Sequence, residues 1–85
     1  MNNQSLIEES RIILVLLEAG KEAEAAEKIV AFDLELSRRE RQVLSADVRA
    51  LWDQVKIAAS NMENKIYFED VKEELNKVSF EYLTK

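Results

Sequence analysis

The sequence predicts an all-α fold, a small bundle of three or four helices, and three observations carry that expectation. The 85-residue chain has no proline and a single glycine, so little in it interrupts a helix. Two long stretches repeat apolar residues in alternating steps of three and four, which places them on one stripe of a helix. Hydrophobic residues make up 47% of the chain and charged ones 34%, enough for a packed core and for solvated faces around it. A chain this short makes one domain, residues 1–85.

The elements follow in order. Ser5 and Glu8 form a Ser-x-x-Glu capping box ahead of an apolar run, which opens a first helix at Ser5. Gly20 ends it as the left-handed residue after Ala19. From Ile12 to Leu17 this helix is apolar all the way round, so it needs cover on every side. A second helix begins at Lys21, runs through the strong helix formers up to Lys28, and continues with Ile29, Val30, Phe32, Leu34 and Leu36.

Ser37 and Glu40 repeat the capping pattern, so a third helix is expected from about 38 to 62. Its stripe is Leu44, Val48, Leu51, Val55, Ala58 and Met62, with Trp52 and Ala59 widening it. One continuous helix from Lys21 to Met62 is the alternative, and the capping pattern favours a break. The polar stretch Ser60 to Lys65 makes a turn. A last helix, 66–83, carries Phe68, Val71, Leu75, Val78 and Tyr82. The β-prone trio Ile66, Tyr67 and Phe68 leaves a short extended lead-in as its alternative. Helices 38–62 and 66–83 should pair as an antiparallel, coiled-coil-like hairpin, with the N-terminal hairpin packed on it or on a second chain. Glu24–Lys28 and Glu73–Lys77 stand at i,i+4 in the orientation that favours a surface pair.

The chemistry is bounded by absences. With no Cys there is no disulfide, zinc finger or thiolate nucleophile, and with no His there is no imidazole base. No serine has a lysine three residues on, and no glycine-rich phosphate loop exists. An enzyme is not expected, nor is any cofactor or metal. The longest apolar run, Ile12 to Leu17, is far short of the roughly 20 residues of a membrane span, and no basic leader precedes it. The expectation is a cytoplasmic protein that does not insert into membranes.

Residues 36–44, Leu-Ser-Arg-Arg-Glu-Arg-Gln-Val-Leu, resemble the opening of the LuxR-type helix-turn-helix domain, which begins Leu-Thr-x-Arg-Glu-x-Glu-Val-Leu. That resemblance implies DNA binding. The glycine-containing turn and recognition helix that follow in that family are missing, because the apolar heptad continues to Met62.

Charge is uneven. The net charge of −5 resolves into −5 over residues 1–36, +2 over 37–60 and −2 over 61–85. An acidic chain repels phosphate, so nucleic acid is the poorer match and another protein the better one. Three groups are candidate binding residues. Ile12, Val15 and Leu16 are the apolar surplus of the first helix. Arg38, Arg39 and Arg41 sit where a helix N-terminus disfavours cations. Glu69, Asp70 and Glu73 cluster at the expected start of the last helix, where the dipole favours acids.

The function expected is that of a non-catalytic regulator that binds another protein through helix contacts and forms a homodimer. In general character the chain resembles phage- or plasmid-encoded inhibitors, antitoxins, immunity proteins and chaperone-like accessory proteins. The alternative is a dimeric nucleic-acid-binding transcriptional regulator using Arg38, Arg39 and Arg41 as a basic strip.

Overall fold

In the computed structural model, which describes residues 3–36 and 42–83, four helices pack together and no strand is present among the described residues. They are α1 (Asn3–Glu18), α2 (Glu22–Glu35), α3 (Ala46–Ser60) and α4 (Lys65–Leu83). The all-α bundle is as expected.

The first helix starts earlier than its capping box. Ser5 lies inside α1, and Asn3, the first described residue, bonds across the fold. The Asn3 Nδ2 donates to Ser45 Oγ at 3.0 Å, and the Ser45 N–H donates back to Asn3 Oδ1 at 3.1 Å. Its other end is as expected. Gly20 takes φ +77°, Lys21 N–H reaches Leu16 C=O at 2.9 Å, and Gly20 N–H reaches Leu17 C=O at 3.1 Å. That pair of bonds is the Schellman closure, which satisfies carbonyls the helix end leaves open.

The third helix starts later than expected. Leu36 (φ −78°, ψ 99°) and Ser45 (φ −62°, ψ 150°) are extended, so neither one helix from Lys21 to Met62 nor one unbroken from 38 to 62 survives; Gln42 and Val43 are helical, and the chain bends at Leu44. The Ser37–Glu40 box lies outside the described residues. Ser45 takes the position before the helix, its hydroxyl held by Asn3, and Asp47 accepts the Val48 N–H at 2.9 Å in the first turn. Leu44, the first residue of the predicted stripe, is buried from the linker and not from the helix.

The last helix begins at Lys65, so Ile66, Tyr67 and Phe68 are helical and the extended alternative falls. The reason is Asn64, whose Oδ1 accepts the Tyr67 N–H at 3.0 Å and so caps the first turn. A turn over 61–64 makes α3 and α4 antiparallel neighbours. Tyr82 OH donates to Asp47 Oδ1 at 3.0 Å and ties the end of α4 to the start of α3. The surface pairs Glu24–Lys28 and Glu73–Lys77 are not closed, because exposed flexible partners gain little by holding one geometry.

Packing centres on α1, which touches all three other helices, whereas α2 and α4 scarcely meet. The molecule measures 32 × 26 × 16 Å. Its thin direction is about that of two helix layers. Thus α2, α1 and α4 form a three-helix layer with α1 in the middle, and α3 lies behind it. Leu6, Ile7, Ser10, Ile13, Leu14 and Leu17 put one face of α1 into the core. Trp52 fills the space between α2 and α3, its ring 5.0 Å from Phe32 and its Nε1 donating to Asp33 Oδ1 at 3.0 Å.

Two outcomes test this account. Trp52→Ala should cost about 3–5 kcal/mol, which in so small a domain shifts the urea midpoint by most of the transition. Gly20→Ala should cost about 1 kcal/mol by thermal unfolding, since a Cβ there meets no atom and the penalty is that of the left-handed backbone alone.

Candidate protein-binding face

The layered packing leaves the outer face of α1 uncovered. Glu8, Ile12, Val15 and Ala19 follow steps of four, three and four, one stripe of the helix directly opposite its buried face. Ile12 is 44% exposed and Val15 59%. Leu16 lies on the flank, half-buried against the core. Ile12 and Val15 thus leave roughly half of their surface in water.

Two grooves run beside the stripe. Towards α4 the walls are Arg11, Leu14, Val15, Glu18, Lys72, Leu75 and Asn76. The Arg11 guanidinium donates to Ser79 Oγ, and Lys72 Nζ bonds Glu18 and, at 3.4 Å, Glu69. The Lys72 ammonium also sits 5.7 Å from the Phe68 ring centre, within cation–π range. The hydrogen bond to Glu18 raises the Lys72 pKa above its ordinary 10.5, against a smaller opposing cost of desolvation. Towards α2 the walls are Glu9, Lys28, Ala31, Phe32 and Glu35.

The predicted acidic residues divide. Glu69 reaches the rim of the α4 groove through Lys72, while Asp70 and Glu73 are exposed on α4 without a bond to another helix. All three lie beyond the first turn of α4, which holds no acid, so the expected dipole explanation is corrected. The start at Lys65 puts Glu69 just past that turn, and Asp70 and Glu73 lie beyond it even from the expected start at 66. Arg38, Arg39 and Arg41 lie outside the described residues. Arg49, the next cation along, is half-buried, and its Nε is enclosed with no hydrogen-bond partner.

Sequence reasoning missed the groove walls. Arg11 and Glu18 stand seven residues apart on one flank of the stripe and could have been found from helical spacing. Lys72 and Leu75 come from 54 or more residues away, and only the fold brings them there. Among the described residues, no cluster of three or more acids, His or Cys could hold a metal ion, and no helix is long and apolar enough to cross a membrane. Comparison with protein-family models, with curated proteins and with solved structures finds no match to this chain.

The Lys72 bridge gives a pH test. A lysine whose pKa is raised on folding contributes stability that is whole below its unfolded value and is lost as pH rises through the folded one. The difference in melting temperature between the protein and its Lys72→Gln variant should therefore be constant from neutral pH up to about 10 and shrink above 10.5.

Proposed function

We propose that this chain is a non-catalytic regulator that acts by binding another protein across the outer face of α1. The observation that carries the reading is the exposure of Ile12 and Val15 on the middle helix of a flat layer, with a groove on either side. Covering their exposed area is worth on the order of 2 kcal/mol. That is too little for a stable complex by itself, so the flanking grooves must contribute. The absence of His and Cys from the chain supports a binding role, since most acid–base and nucleophilic chemistry relies on them. A homodimer would draw on the same face, although larger and more exposed side chains, Leu34 and Phe80 among them, lie on other helices.

The test is a surface variant that spares the core. Ile12→Ser with Val15→Ser should leave stability within about 1 kcal/mol, because both side chains already face solvent. The same variant should lose the proteins that the wild type cross-links to in extracts of its own cells. Capture of the same proteins by the variant would remove α1 from the interface and the proposal with it.

A further inference from the structure

Resting on that reading, the charge around the face identifies the partner. Lys28, Ala31 and Glu35 run along α2 in steps of three and four and border the groove that Glu9 closes from α1, and Glu24 precedes Lys28 by one turn on the same stripe, outside the groove. Glu8 lies beside them on the α1 stripe. Among the described residues four carboxylates thus stand against one lysine along the α2 side. None of Glu8, Glu9, Glu24 and Glu35 is in an ion pair among the described residues. The α4 side differs, since Arg11 is held by Ser79 and Lys72 by Glu18 and Glu69.

From this asymmetry we infer that the α1 face binds a basic amphipathic helix of another protein. Its apolar stripe covers Ile12 and Val15, and its Lys/Arg edge lies over the unpaired carboxylates of α1 and α2. A helix set on an apolar strip between two grooves presents side chains at i, i+3, i+4 and i+7, which matches the spacing of the strip itself. Unpaired surface acids lose little on meeting cations, whereas the tied-down α4 edge offers a second helix packing without new charge.

A second copy of this chain fits less well. Pairing two α1 helices antiparallel brings Arg11 towards Glu18 of the other copy, but stacks α2 on α2 and so carboxylates on carboxylates. Pairing them parallel sets Glu8, on the stripe itself, against Glu8 of the other copy. Each copy also carries −5 overall.

The experiment is an amide-shift titration of the full chain with three synthetic helical peptides. One has leucines at i, i+3, i+4 and i+7 and lysines elsewhere. A second replaces those lysines by glutamates, and a third scrambles the lysine peptide. The lysine peptide should shift the amides of Glu9, Ile12, Val15 and Glu35 and saturate. It should bind at least about tenfold tighter than either control and weaken several-fold when salt rises from about 50 to about 300 mM. Glu9→Lys with Glu35→Lys should abolish the preference for the lysine peptide. Three results would overturn the assignment: shifts centred on another surface, equal binding of the glutamate or scrambled peptide, or a dimer in sedimentation that the Ile12→Ser/Val15→Ser variant abolishes. If the peptides fail while the cross-linked proteins still depend on Ile12 and Val15, the basic helix is wrong and the binding face stands.

Discussion

The rest of the structure depends on one shortage: α1 has apolar residues on all sides, and the chain has helices enough to cover only part of it. Three neighbours take its inner face and flanks, with Leu6, Ile7, Ile13, Leu14 and Leu17 almost wholly removed from water. A domain of this size buries roughly 60–65% of its unfolded surface, and this one has no disulfide to compensate. The same shortage fixes the layer arrangement. If α2 and α4 closed over the front of α1 they would hide Ile12 and Val15, but both are needed at the sides, where each packs on α1 and α3 is shared behind.

The cross-helix polar bonds are placed to hold that layer open. Asn3–Ser45 and Tyr82–Asp47 pin one end of the bundle, and Asp33 joins α2 to α3 through Trp52 Nε1 and, at 3.5 Å, Lys56 Nζ. Each is part-buried, so breaking one leaves a donor or acceptor poorly solvated, a cost of about 1–3 kcal/mol. They therefore fix where the helices lie relative to one another more firmly than the exposed pairs do. α2 depends on them most, since Ala25 is its one fully buried residue.

What was legible in the sequence is what local chemistry controls. The stripe Val48, Leu51, Val55 and Ala58 reads as a seam and is buried as one, and Gly20 stops α1 by the conformation only glycine adopts cheaply. The errors arose where two local signals competed or where the decisive partner was distant. The break before α3 at Ser45 follows from Asn3, 42 residues away, whose side chain holds Ser45. Asn64 belongs to the turn that its polar neighbourhood predicts, but the same side chain caps α4 and carries the β-prone trio into the helix. In the candidate site the strip residues were visible as a surplus on one helix. The grooves beside them were not, because their walls belong to other helices.

Exposure of a valine or isoleucine on a protein surface is ordinary, and two such residues alone would say nothing. Their meaning comes from position. Val30 and Leu34 are also exposed, at 59% and 81%, but they lie on α2, whose only firm hold on the fold is through its opposite side. Ile12 and Val15 lie on the helix packed against all three others, so a partner meeting them loses little entropy in ordering its backbone. The neighbouring cations are already engaged, Arg11 with Ser79 and Lys72 with Glu18, which keeps that edge rigid and close to neutral. The carboxylates on the other edge have no such partner among the described residues. A surface rigid in its apolar strip and unbalanced in its charge on one side discriminates by charge as much as by shape, because an acidic helix of the same contour would meet repulsion along α2 and gain nothing along α4.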